Sequence, residues 1–214
     1  MPEPLFHPNL LEYLEGLVPA RNEIMNEMEA YAREIKFNIV GPAAGQLMYL
    51  VARMICAKRV FELGSGYGYS TAWFARAVRE NGGGEVHHVV WHEDLSQKAQ
   101  GYLGRMGYTD LMHYHVGEAV GVLEQTEEQF DLIFNDIDKD GYPTSIAAIK
   151  RKLRPGGVLL IDNTLWHGRI FDPNDQSADT VGVREFNVML AQDEDFIVSL
   201  LPIRDGVILA YRNT

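Results

Sequence analysis

The stretch that most constrains this chain is Val60-Phe61-Glu62-Leu63-Gly64-Ser65-Gly66-Tyr67-Gly68-Tyr69-Ser70. A short apolar run, long enough for one strand, leads into three glycines separated by single residues, and a helix-forming segment follows. Glycine tolerates φ > 0 and allows close backbone approach to a ligand. The free N–H groups opening the next helix favour an anionic group. Such a segment predicts a strand, a tight turn and a helix in an open α/β sheet, with a ligand crevice at the carboxyl ends of the strands.

The turn reads G-x-G-x-G rather than the G-x-G-x-x-G of dinucleotide sites, and Glu62 stands two residues before its first glycine. A carboxylate there would repel a pyrophosphate. It suits an ammonium instead, while Ser70 and the helix start suit a carboxylate. The methionine end of S-adenosylmethionine carries both groups.

The rest of the chain supports an α/β reading. Helices are expected over 10–18, 21–37 and 43–56, with Gly41-Pro42 as a break between the last two. Strands are expected over 58–63, 85–91, 113–116, 131–135 and 158–161. Helices are expected over 70–79, 94–106, 118–123, 144–153 and 183–191, the last of them following a loop after Asn163. Strands over 196–202 and 207–211, joined at Arg204-Asp205-Gly206, form a hairpin. The apolar runs at 131–135 and 158–161 are of the kind buried on both faces of a parallel sheet. No linker divides the 214 residues, so one domain is expected: a helical extension over 1–38 and a cofactor-binding core over 39–214.

Composition narrows the function classes. Hydrophobic residues make up 46%, which excludes wholesale disorder, and no apolar run is long enough to span a membrane. Lys+Arg 19 against Asp+Glu 30 gives a net charge of -11, so neither nucleic acid nor a membrane surface is an expected partner. The densest basic stretch, Lys150, Arg151, Lys152 and Arg154, reads as one exposed helix end. Cys56, the one cysteine, reads as a buried small hydrophobe. No secretory signal is visible over residues 1–10, and a cytoplasmic location is expected.

Two further strand ends carry oxygen donors: Phe134-Asn135-Asp136-Ile137-Asp138-Lys139 and Leu160-Ile161-Asp162-Asn163. Neighbouring strands lie about 4.8 Å apart, so Asp136, Asp162 and the amide oxygen of Asn163 could converge. Hard oxygen donors without His or Cys suit Mg²⁺, with Mn²⁺ or Ca²⁺ as alternatives. Taken singly, each acid could equally be a helix N-cap.

FELGSGYGYS, FNDIDKDGYP and LRPGGVLLIDNTLWHGRIFDP, in this order and spacing, resemble the metal-dependent small-molecule O-methyltransferases, the catechol and caffeoyl-CoA group with its bacterial branch. The resemblance runs from about residue 39 to the C-terminus. It implies a Rossmann-like class I methyltransferase fold: a seven-stranded, mostly parallel sheet of order 3-2-1-4-5-7-6, with an antiparallel C-terminal hairpin. It implies methyl transfer from S-adenosylmethionine to one hydroxyl of a small aromatic vicinal diol.

The roles it implies are specific. Asp136, Asp162 and Asn163 would hold the divalent cation. Lys139 would take the hydroxyl proton, with Asp136 beside it as the second catalytic position. Val40, Gly41, Glu62, Gly64, Ser65, Gly66, Tyr67 and Ser70 would hold the methionine end, and Gly117, Glu118, Ala119, Asp136 and Ile137 the nucleoside side. The second strand of the family ends in an acid for the ribose hydroxyls, whereas here that slot is Val90. Trp91, His92 or Glu93 would have to serve instead. Trp166 is either a substrate wall or a core anchor. Arg169 either reads an acidic substrate tail or makes a surface salt bridge.

The same residues admit other readings. A nucleotide-binding oxidoreductase needs a pyrophosphate-compatible turn and an acid at position 90. A non-catalytic S-adenosylmethionine-binding protein has no use for Lys139. The histidines His87, His88, His113 and His115 suggest zinc, but no cysteine or spaced carboxylate completes a ligand set, so packing or exposure is the expectation. Apolar surfaces on the opening helices and the terminal hairpin suggest a homodimer.

Overall fold

The computed structural model describes residues 7–214; the first six residues of the expected leaderless N-terminus lie outside it. Helices α1 (Leu10–Gly16), α2 (Glu23–Ile35) and α3 (Gly41–Met54) precede β1 (Arg59–Leu63). Then follow α4 (Tyr69–Glu80), β2 (Glu85–Val90), α5 (Glu93–Arg105), β3 (Met112–Val116), α6 (Ala119–Gln125), β4 (Phe130–Asn135) and α7 (Tyr142–Lys152). The chain closes with β5 (Leu153–Ile161), α8 (Ala178–Gln192), β6 (Phe196–Leu201) and β7 (Val207–Arg212). The seven strands form one sheet in the order β3-β2-β1-β4-β5-β7-β6. β7 runs antiparallel to both β5 and β6, as expected for the hairpin.

The two-residue period of the strands divides the core into two layers. Val60, Val86, Leu132, Phe134, Val158 and Leu160 face α2 to α5, together with Met25, Met28 and Trp73. Phe61, Leu63, Val89, Ile133, Leu159 and Ile161 face α6 to α8. The strand order reverses between β1 and β4, so the crevice opens where their carboxyl ends part.

Several boundaries differ from the sequence reading. Gly41-Pro42 does not break a helix but begins α3, because proline fits the first turn, whose N–H has no intrahelical partner. β5 starts at Leu153, with Arg154 to Gly157 carried inside the strand. Its register with β4 steps from Phe130↔Leu153 to Leu132↔Val158, an irregularity that accommodates Pro155. α8 starts at Ala178, five residues early. Cys56 is exposed, not buried: it sits just past α3 with φ 51. The basic stretch is spent on partners, Lys150 on Asp193 and Asp195, Arg151 on Glu124, and Arg154 on Asp131. No helix among the described residues is long and apolar enough to cross a membrane.

Candidate active site

The glycine turn packs against the neighbouring strand end. A Cβ at Gly64, where φ is +84, would lie 2.4 Å from the carbonyl oxygen of Asp136, so only glycine lets β1 and β4 approach this closely. At Gly66 a Cβ would press on the Phe37 ring at 3.1 Å. Phe37, from the connection between α2 and α3, thereby forms one wall of the cleft. The sequence reading overlooked this residue and Asn38, because nothing local marks a wall supplied by a distant connection.

The cleft runs across the carboxyl ends of β2, β1 and β4. Val40, Gly64, Ser65, Gly66, Tyr67 and Ser70 line one half of it. Trp91, His92, Gly117 and Ala119 line the other half, and Asp136 and Ile137 lie along β4. Gly41, Glu62, Glu93 and Glu118 are not in the wall. Glu93 opens α5 and accepts from Gln97 Nε2 at 3.2 Å, while Glu118 caps α6 by accepting from the N–H groups of Val120 and Gly121. Val90, in the ribose slot, lines the cleft with no carboxylate, and Trp91 beside it is 58% exposed. Tyr67 and Tyr69 also line the cleft, and their hydroxyls tie it to α2, through Met28 O at 2.9 Å and Glu29 Oε1 at 2.8 Å.

Glu62 lies behind the turn, fully buried. Thr71 donates its hydroxyl to Glu62 Oε2, and Thr71 Oγ1 is 3.1 Å from His88 Nδ1, while Glu62 Oε1 has no partner. Burial pushes the Glu62 carboxyl up to about 7, although the hydroxyls of Ser70, Thr71 and Ser65 pull the other way. An unpartnered carboxylate oxygen beneath a cleft of glycines and hydroxyls fits a ligand that brings a hydrogen-bond donor.

The register Asn135↔Ile161 sets the next residues, Asp136 and Asp162, side by side. Asp162 is buried; Oδ2 accepts from Arg204 Nη1 at 2.8 Å, and Oδ1 has no partner. Its burial and the adjacent Asp136 charge raise its pKa, against the pull of Arg204. Asn163 adopts φ 55 and donates its Nδ2 to Asp205 Oδ2 at 3.1 Å, which occupies the nitrogen side of the amide and leaves the oxygen side available. Asp205 also accepts from the His167 N–H. Arg204 and Asp205, read from sequence only as turn residues, are thus part of this centre. Two adjacent carboxylates with an orphaned buried oxygen, plus one amide oxygen, fit an oxygen-coordinated divalent cation.

Lys139, from a 3-10 turn after β4, is 7% exposed. Its Nζ donates to Asp136 Oδ1 at 2.6 Å and Ile137 O at 3.0 Å, and lies 5.9 Å from the Trp166 ring centre. Trp166 is half-buried, packs on the α6–α8 layer and faces Lys139, so it has a core contact and a site contact together. The Arg169 guanidinium is taken by Asp175 at 2.7 Å and Ser177 at 2.8 Å, the surface salt bridge of the two readings.

Known proteins resemble this chain in sequence and fold. Residues 18–213 match the family described as O-methyltransferase. A catechol O-methyltransferase of Niastella koreensis is 32% identical over 180 residues, covering 80% of each chain. The O-methyltransferase TomG of Streptomyces achromogenes, involved in tomaymycin synthesis and solved with S-adenosylmethionine, superposes with a TM-score of 0.86 at 28% identity over 96% of both chains. An O-methyltransferase of Bacillus cereus, solved with S-adenosylhomocysteine, gives 0.85 at 25% identity over 95% of this chain and 96% of that one. With the sheet order, the glycine turn and the carboxylate pair all in place, and a match that spans nearly its whole length, this chain belongs to the O-methyltransferase family.

Proposed function

We propose that this O-methyltransferase moves the methyl group of S-adenosylmethionine to one hydroxyl of a small aromatic vicinal diol, with a divalent cation held by Asp136, Asp162 and Asn163. The observation that carries this reading is the junction of the two half-sites at Asp136. It lines the cofactor cleft, pairs with Lys139 and neighbours Asp162 across β4 and β5.

A cation held by Asp136, Asp162 and Asn163 would supply Lewis acidity that favours the ionised hydroxyl. The chain's own groups do the rest. The glycine turn and Ser70 receive the cofactor's carboxylate, and Glu62 favours its ammonium. Lys139 Nζ takes the hydroxyl proton. The oxygen then forms its bond to the methyl carbon as the carbon–sulfur bond breaks, and S-adenosylhomocysteine leaves. Trp166 provides an apolar wall that orients the ring and excludes water. With both reactants held in line, orientation accounts for most of the acceleration. The diol acceptor rests on the resemblance to a catechol O-methyltransferase.

The test is methyl transfer to a panel of catechols, read by mass spectrometry, with Mg²⁺ and with EDTA. The expected result is product only with metal, and a loss of at least a hundredfold in Lys139→Ala and Asp162→Asn. Full turnover in EDTA, or in both variants, overturns the mechanism.

A further inference from the structure

A second cluster of ligating side chains lies at the other edge of the sheet. Glu85 and His87 are two residues apart on β2 and share a face. β3 pairs alongside, with His113 the register partner of His87 and His115 the partner of Val89. One ligand atom each from Glu85, His87 and His113 all lie within 4.8 Å of one another. His113 Nε2 is 3.5 Å from Glu85 Oε2, and His87 Nε2 is 4.0 Å from the same oxygen. The spaced carboxylate that the sequence reading found missing is Glu85. It was overlooked because it precedes the histidine pair at the start of the strand.

We infer that Glu85, His87 and His113 form a binding site for a divalent cation of the zinc class, apart from the methyl-transfer cleft. The His87 side chain is 8% exposed, and its Nε2 has no hydrogen-bond partner. Its Nδ1 is 3.2 Å from His115 Nε2. A Nδ1–H donated to His115 leaves the Nε2 lone pair free to ligate, the arrangement in which an outer hydrogen bond fixes the tautomer of a metal-binding imidazole; the His113 ring, stacked on His87 at 4.6 Å, has to turn toward the ion on binding. The His87 ring is held by Phe61, stacked at 5.5 Å, and by Phe130, edge-on at 5.1 Å.

Arg59 Nε forms an ion pair with Glu85 Oε1 at 3.0 Å, and Oε2 is the oxygen nearest the histidines. Zinc bonds of about 2.0–2.2 Å in a tetrahedron put donors roughly 3.3–3.6 Å apart. The 3.5 Å pair already meets this, and the Glu85 carboxylate, 25% exposed, and the His113 side chain, 52% exposed, have room to close the remainder. Two imidazoles and one carboxylate select zinc over magnesium, and the exposed side leaves a fourth position for water. β3 is an edge strand, so a bound ion would fasten it to β2.

The experiment is a Zn²⁺ titration of the full chain against a chromophoric chelator, with millimolar Mg²⁺ present to saturate the oxygen site. It is paired with an anomalous difference map recorded at the zinc edge. One zinc per chain is expected, with its peak between Glu85, His87 and His113. His113→Ala should lose the peak and weaken binding at least tenfold, and Glu85→Gln should weaken it too. The circular dichroism and the EDTA melting temperature of His113→Ala should match wild type, since His113 is largely exposed. No micromolar zinc binding, a peak only at the cleft carboxylates, or unchanged affinity in His113→Ala overturns the inference. Catechol methylation is not the readout, so the two proposals fail separately.

Discussion

Arg204 Nη1 donates to Asp162 Oδ2 at 2.8 Å, which sets a fixed positive charge of the chain against one of the acids proposed to hold a dication. The pair is desolvated on the Asp162 side, which is 1% exposed. A guanidinium this close repels a divalent cation while it neutralises the acid. Replacing it with the uncharged Arg204→Gln should therefore lower the Mg²⁺ concentration for half-maximal methyl transfer, by roughly tenfold if about 1.4 kcal/mol of repulsion is relieved. A magnesium titration of activity measures this. An increased metal requirement would instead assign Arg204 to holding Asp162 in place.

Asp205 acts one step further out. It accepts from Asn163 Nδ2 and from the His167 N–H, and so fixes which end of the Asn163 amide is available. Outer-sphere partners of this kind change metal affinity by about 10–100-fold. Asp205→Ala is expected to raise the Mg²⁺ requirement by a factor in that range. Asp205→Asn should be nearly as impaired, because one amide oxygen cannot replace two carboxylate oxygens. Metal titrations of both variants, with circular dichroism to check folding, decide it. A normal Mg²⁺ requirement in Asp205→Asn would remove Asp205 from this role.

What could be read in advance was whatever the chain writes contiguously. The glycine turn after β1 and the two acidic strand ends are short contiguous runs, and apolar strands followed by glycines or acids mark them directly. The adjacency of Asp136 and Asp162 followed from the sheet order that the resemblance implied. Arg204 and Asp205 were opaque because they reach Asp162 and Asn163 through the antiparallel pairing of β5 and β7, some forty residues along the chain. Phe37 was missed for the same reason: its contact with Gly66 depends on how α2 and α3 cross the sheet. Gly41-Pro42 misled because the same dipeptide can stop one helix or start the next, and packing of Gly41 to Met54 decides it.

The end of β2 gives a gain-of-function prediction. Val90 lines the cleft where an acid would serve the ribose, and the nearby Glu93 side chain is held by Gln97. Val90→Glu should tighten S-adenosylhomocysteine binding by several-fold. A hydrogen bond to a charged group is worth about 1.5–3 kcal/mol, and burying the new carboxylate offsets part of it. Trp91→Ala, which removes the exposed ring beside this slot, should weaken binding. Calorimetry on the two variants tests both; weaker binding in Val90→Glu would show that the ribose hydroxyls lie elsewhere.

The buried Glu62 makes cofactor binding depend on pH. Its carboxyl, ordinarily near 4.5, is pushed to about 7 in the folded, cofactor-free chain, chiefly by burial. Between those values the folded chain holds a proton that the unfolded chain has released, so this group's contribution to stability falls as pH rises through that window and levels off above about 7. An ammonium at the glycine turn favours the carboxylate form. Binding of S-adenosylhomocysteine near pH 6 should therefore expel up to one proton per chain, and affinity should drop as pH falls from 7 to 5.5, by no more than tenfold per unit. Calorimetry in two buffers of different ionisation heat reads the proton directly. Glu62→Gln, in which Thr71 keeps an oxygen to donate to, should bind more weakly at pH 7 but lose the proton release and the pH slope. Wild-type binding at pH 6 with no proton release would show that the ammonium does not sense Glu62.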